Sequence, residues 1–290
     1  IRMPYNIKDH GAAGDGGRAD HVAIQDAIDQ CAADGGGTVL VPPGRYRCGS
    51  IQLKSNARLH LEMGATLEVI EDPALFQPVG DPAAGNQRGR LHAVLWAREA
   101  GNIAVTGFGA VDGACDVPLP ERNEFRPSLV FFQNCQDVRF ERISLLRSNS
   151  WTLHLLRCND VSVRGITLRA NKHRINTDGI DPDGCRNVII SDCNIECGDD
   201  CIVLKSTQGD ECRNIAISNC VLSTRCAALK LGTEGLGDMR DITMSNCVVH
   251  DSRVGFAIYM KDGSTYENIL VSNVTLEGEH DFPVLIDNTP

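Results

Sequence analysis

The sequence predicts an all-β solenoid, a parallel β-helix, on three observations. A dipeptide of Asp or Asn followed by a branched aliphatic recurs at Asp137-Val138, Asp160-Val161, Asn187-Val188, Asn214-Ile215, Asp241-Ile242 and Asn268-Ile269, in steps of 23 and then four times 27 residues. Two positions before each dipeptide stands Cys135, Cys158, Cys185, Cys212, Met239 or Tyr266. A further column runs through Ser191, Ser218, Ser245 and Ser272, with Asp192, Asn219, Asn246 and Asn273 beside it and Cys193, Cys220, Cys247 and Val274 after that. Within a repeat, short stretches such as Ala228-Leu-Lys-Leu231 alternate with period two, and no long segment of period 3.6 separates them. Several short strands per repeat, stacked so that equivalent residues lie one strand spacing (about 4.8 Å) apart, give a coil of parallel strands with ladders of like side chains.

Taken in chain order, the Gly-rich segment Gly11–Gly17 reads as turns, since it matches neither a dinucleotide nor a P-loop pattern. Asp20 to Ala33 predicts an amphipathic helix with Val22, Ile24, Ala27, Ile28 and Cys31 as its apolar stripe and Asp20 as N-cap. Such a helix plugs the N-terminal end of the stack, where a first rung otherwise exposes core and strand edges. Residues 72–128, rich in Pro and Gly, read as looped excursions, and regular rungs are expected over 102–290 of a single domain spanning 1–290. The chain begins abruptly at Ile1, as if a leader had been removed. It ends at Pro290, soon after the apolar run Phe282–Ile286, so we expect either a missing C-terminal portion or another surface over the last rung.

Composition narrows the function. With 290 residues, 38 acidic against 28 basic side chains and a net charge of −10, the chain lacks the clustered cations of a nucleic-acid binder. No run of 18 apolar residues is present, which argues against a membrane-spanning helix. Thirteen cysteines cannot all pair within one chain. Most occupy the repeat columns, where a thiol serves as a small interior hydrophobe. The sequon Asn273-Val-Thr275 falls in the Asn column and reads as packing.

Carboxylates crowd one segment: Asp178, Asp181, Asp183, Asp192, Glu196, Asp199 and Asp200. Asp192 belongs to a ladder, and Asp181 and Asp183 flank Pro182 and Gly184 in an expected turn. That leaves Asp178, Asp199 and Asp200. A strict 27-residue register stacks Asp178 on Lys205, whereas matching Asp178-Gly-Ile180 to Asp200-Cys-Ile202 stacks Asp178 on Asp200, 22 residues later. The second register pairs Ile180 with Ile202, and the longer loop Ser206–Glu211 compensates for the shorter turn Glu196–Asp199. Three carboxylates then converge on one exterior groove, where mutual repulsion raises the pKa of one of them. A protonated acid beside ionised neighbours suits glycoside hydrolysis. The competing reading is a solvated turn or a cation site.

Asn176-Thr-Asp-Gly179 followed by Gly198-Asp-Asp-Cys201, with Asp9–Gly16 and Val41-Pro-Pro-Gly-Arg-Tyr46 upstream, resembles the polygalacturonases of glycoside hydrolase family 28 over nearly the whole chain. The resemblance implies a right-handed, pectin-lyase-like solenoid and metal-independent hydrolysis with inversion, needing no cofactor. It implies Asp199 as general acid, with Asp178 and Asp200 activating water. Two motifs depart from the family. Ala227 stands where a histidine is expected, and Tyr259-Met-Lys261 replaces an Arg-Ile-Lys motif, a guanidinium fork that a phenol does not reproduce.

Substrate contacts are accordingly expected from Lys205, Lys230, Tyr259 and Lys261, although Lys261 has Glu234 one repeat away as an alternative partner. Trp151 is a candidate sugar platform and His173 a modulator of the acid. The expected activity is hydrolysis of a pectic or related polysaccharide or oligosaccharide. Alternatives are a family-28-like hydrolase of a non-galacturonate glycan, a non-catalytic carbohydrate-binding β-helix, or a lyase on the same scaffold. A polymeric substrate implies a secreted or periplasmic enzyme, for which Cys31–Cys48 and Cys201–Cys226 are candidate disulfides.

Overall fold

In the computed structural model, which describes residues 3–80, 92–119, 124–278 and 281–288, each turn of the chain lays down up to three short strands. They stack into two ten-stranded sheets and one nine-stranded sheet, parallel at every pairing, as a right-handed parallel β-helix. The register repeats the spacing of the sequence: Gln136 lies on Asn159, then Asn159 on Arg186, Arg186 on Arg213, Arg213 on Arg240 and Arg240 on Glu267. Inside, one continuous apolar column holds the alternate residues, among them Val138, Val161, Val188, Ile215 and Ile242.

Backbone conformation explains the Asp/Asn columns. Asp137, Asp160, Asn187, Asn214, Asp241 and Asn268 all adopt left-handed φ between 54° and 59°, as do Asp192, Asn219, Asn246 and Asn273 between 52° and 59°. Most side chains pay about 1–2 kcal/mol there, and Asn and Asp least among those with a Cβ. The amides then bond along the stack, Asn187 to Asp160 (2.8 Å), Asn214 to Asn187 (3.0 Å) and Asn268 to Asp241 (2.9 Å). Asp241 has no proton to give Asn214. It accepts from Arg213 instead, at 2.9 Å.

The cysteines are interior thiols. Cys158, Cys185 and Cys212 are fully buried and donate to carbonyls of Phe132 (3.4 Å), Leu155 (3.0 Å) and Lys205 (3.1 Å). Neither expected disulfide is formed. Cys201 Sγ lies 3.8 Å from Cys197 and 3.4 Å from the Ser223 carbonyl, while Cys31 and Cys48 are buried core residues.

The predicted N-terminal helix spans His21–Ala33 and buries Ile24, Ala27, Ile28 and Cys31, but Val22 faces solvent. Asp20 is its N-cap residue, as expected, and its carbonyl accepts the Ile24 N–H at 3.1 Å, but its side chain makes no capping bond. Its carboxylate accepts the Ala13 and Gly14 N–H groups at 2.7 and 3.0 Å, fastening the preceding Gly-rich turn to the helix start. Stacking begins well before Asn102, with Tyr5–Asn6 on Gly37–Val41. The stretch 72–128 is not all excursion. It contains a complete rung, Ala93–Arg98, Gly101–Gly107 and Ala110–Asp112, while 81–91 and 120–123, like Ile1 and Pro290, lie outside the described residues. Among the described residues no helix is long and apolar enough to cross a membrane. Phe282–Asp287 forms the last strand of the third sheet, with Phe282, Val284 and Ile286 exposed.

Candidate active site

The carboxylates gather along the third sheet: Asp178 directly precedes the strand Ile180–Asp183, Asp199 and Asp200 precede Ile202–Ser206, and Ala227–Gly235 is the next strand of the stack. Ile180 pairs with Ile202 and Asp183 with Lys205, the 22-residue register expected from the motifs. The Gly179 N–H bonds to the Asp200 carbonyl at 2.8 Å, so Asp178 and Asp200 sit one above the other. Both motif glycines permit this approach. A Cβ on Gly179 would lie 2.3 Å from the Cys201 carbonyl, and one on Gly198 2.1 Å from the Arg174 carbonyl.

The three aspartates occupy different environments. Asp199 is partly exposed, and its two carboxylate oxygens accept the Asn176 and Asp200 N–H groups, each at 3.0 Å. Asp200 is buried and accepts from Ala227 N (3.1 Å) and Lys230 Nζ (2.8 Å). Asp178 is buried 3.6 Å from Lys205 Nζ. The backbone donors orient Asp199 toward the cleft, while each of the other two lies against an ammonium.

The lysines expected to touch substrate are committed elsewhere. Lys205 is only 3% exposed, with Asp178, Asp181 (3.8 Å) and Glu234 (3.2 Å) around its ammonium and the Trp151 ring centroid 4.6 Å away. Burial alone would lower its pKa, but these carboxylates outweigh burial and raise it. Lys230 behaves alike: burial opposes its charge and Asp200 prevails. Lys261 pairs with Asp287 at 3.0 Å and not with Glu234. Tyr259 lies between the two ammoniums, its ring centroid 5.0 Å from Lys230 and 5.6 Å from Lys261. Trp151 is 1% exposed and stands edge-on to His154, so it is core and not a sugar platform.

Asp181 and Asp183 belong to a buried strand, where a turn was expected. Proline lacks the N–H of a sheet ladder, and toward the next strand the pairing indeed resumes only at Asp183. Asp183 accepts from Thr207 N (2.8 Å) and Thr207 Oγ1 (2.7 Å) and meets His154 Nε2 at 3.1 Å. Burial would raise its pKa, but these bonds and the imidazole lower it.

A cavity of about 670 Å³ opens beside Asp199, walled by Leu119, Ile175, Lys172, His173 and Arg225. The donor atoms of Asp199, Asp200 and Cys226 lie within 4.8 Å of one another, a spacing one cation would bridge. Burial, then the charges of Asp200 and Asp199, push the Cys226 thiol pKa up. Sequence reasoning passed over Lys172 and Arg225. Only their place at the corners on either side of the Asp199 rung marks them.

A sequence profile of glycosyl hydrolases family 28 matches residues 31–289. A probable polygalacturonase of Vitis vinifera is 31% identical over 215 residues, 69% of this chain and 44% of that protein. The chain spans about half the length of the curated relatives it matches over most of its own. A mannuronan C5-epimerase of Azotobacter vinelandii shares 54% identity over 59 residues, 20% of this chain and 7% of that protein. The crystal structure of a hyperthermoactive exopolygalacturonase from Thermotoga maritima superposes with a TM-score of 0.82 at 25% identity, covering 97% of this chain and 78% of that one.

Proposed function

Because the chain belongs to the glycosyl hydrolases family 28, we propose that it hydrolyses a glycosidic bond in a pectic polysaccharide or oligosaccharide with inversion. Asp199 donates its proton to the leaving glycosidic oxygen as the C1–O bond breaks. Asp178 and Asp200 accept a proton from the water that forms the new C1–O bond on the opposite face. The observation that supports this division most strongly is the contrast between the cleft-facing Asp199, held by backbone N–H groups, and its two neighbours, each against a buried lysine. A polymeric substrate places the reaction outside the cytoplasm.

The test is release of reducing ends from a panel of pectic and non-pectic glycans, with the product anomer followed by NMR. Asp199→Asn is expected to lower kcat by about 10²–10⁴-fold. A variant that kept the full rate would remove Asp199 from the mechanism. A second reading, hydrolysis of a neutral glycan, is favoured by Ala227 and Tyr259 in place of the family's histidine and arginine. It predicts equal rates on substrates with and without a carboxylate.

A further inference from the structure

We infer that Lys172, Arg225 and His173 form a subsite for the carboxylate of a uronate unit adjoining the cleaved bond. This rests on the hydrolase reading of the Asp199 cleft and adds where substrate charge is recognised. The groove floor has little to offer an acidic sugar, because Lys205, Lys230 and Lys261 are each bound to carboxylates of the protein. At net −10 the whole chain repels a polyanion. Recognition therefore depends on cations whose protein partners are neutral.

Two such cations stand at the rim. Lys172 Nζ donates to Ser223 Oγ (2.6 Å) and to the Asp251 carbonyl (3.3 Å), and Arg225 Nη1 lies 3.2 Å from His173 Nδ1. Lys172, His173 and Arg225 form the wall shared by the Asp199 cavity and an adjoining one of about 680 Å³. The second cavity also carries Asp251, Asp281 and Arg253, with Arg253 paired to Asp281 at 2.8 Å and Asp251 to His250 at 3.2 Å. On the Asp199 side the only carboxylate in the wall is that of Asp199 itself among the described residues, so positive charge prevails there.

Position along the solenoid agrees. Ile202 pairs with Leu229 and Leu229 with Phe256, so the corners holding Gly198-Asp199, Arg225-Cys226 and Ser252-Arg253 stack in successive rungs, about 4.8 Å apart. A glycan lying along the axis with its scissile bond at Asp199 carries the neighbouring unit past Arg225. The guanidinium suits a planar carboxylate, and Lys172 adds a second charge.

The experiment compares trigalacturonate with its methyl ester by titration calorimetry, in an Asp199→Asn background to stop turnover, with and without Arg225→Gln or Lys172→Gln. The acid is expected to bind at least tenfold more tightly than the ester. Either substitution should remove most of that difference by weakening the acid alone, and Arg225→Lys should restore part of it. No preference for the acid, or equal losses on acid and ester, would overturn the subsite. If the preference depends on Arg225 but the wild-type chain releases no reducing ends from any pectic substrate, the subsite stands and the hydrolase reading falls.

Discussion

Lys205 sits where three carboxylates meet, and its replacement by methionine leaves Asp178, Asp181 and Glu234 without this ammonium in a buried setting. Removing one partner of a buried ion network costs about 3–5 kcal/mol, so Lys205→Met should lose that much stability in urea at pH 7. Since its folded pKa is raised, the stabilisation is complete below the ordinary lysine value of about 10.4 and fades only as pH rises through the folded value. Wild type and variant that converge by pH 9 would contradict this. Asp183 has the opposite sign. Its pKa is lowered, so its contribution is present above the ordinary carboxylate range and lost as pH falls through the lowered value. Thr207→Val, which removes the 2.7 Å donor, should therefore raise the acid-unfolding midpoint in a pH titration followed by circular dichroism. At this scale the three catalytic candidates and the 22-residue register were legible, because motif and alternation both point to them. Partners were not. Lys261 finds Asp287 because the final step pairs Val254 with Phe282, 28 residues on, and one residue of slip decides which charges meet.

The ladder columns show what an element adds to its residues. Sequence periodicity located them, yet the left-handed φ shared by Asp160, Asn187, Asn214, Asp241 and Asn268 is invisible in a list of like side chains. Two causes therefore compete for one preference, the amide bond and the backbone conformation. Asn214→Ala loses both and should cost about 1–2 kcal/mol. Asn214→Gly loses only the side-chain bond to Asn187, so a smaller loss is expected in the same denaturant series; equal losses would assign the preference to the amide. Gly198 is the sterner case. A Cβ there would lie 2.1 Å from the Arg174 carbonyl and 2.7 Å from the Asn171 carbonyl, backbone atoms that cannot rotate aside. Gly198→Ala should cost about 1–3 kcal/mol and displace Asp199, so that kcat falls even where the variant remains folded.

As a whole the molecule is a stack in which each rung touches chiefly the next, so stability approximates a sum of rungs and their interfaces. The two ends of the stack differ. Helix His21–Ala33 covers the first rungs with Ile24, Ala27 and Ile28 buried, whereas Tyr266–Ser272, Thr275–Glu277 and Phe282–Asp287 are, among the described residues, the outer strands of their sheets and expose Leu270, Phe282, Val284 and Ile286. An outer strand has partners on one side only, which lowers its local opening free energy relative to interior rungs. Hydrogen exchange on this chain, measured by mass spectrometry, should therefore show protection that is highest in the rungs from Gln136–Glu141 to Cys212–Ser218 and declines toward residue 288. The catalytic candidates lie within the protected block, at least two rungs from the outer strands, since the strands Ala227–Gly235 and Val254–Tyr259 intervene between Ile202–Ser206 and Phe282–Asp287. A solenoid that supports Asp178, Asp199 and Asp200 from both sides holds them still. Uniform protection along all rungs would mean that the stack opens as one unit and that the nearest-neighbour description does not apply to it.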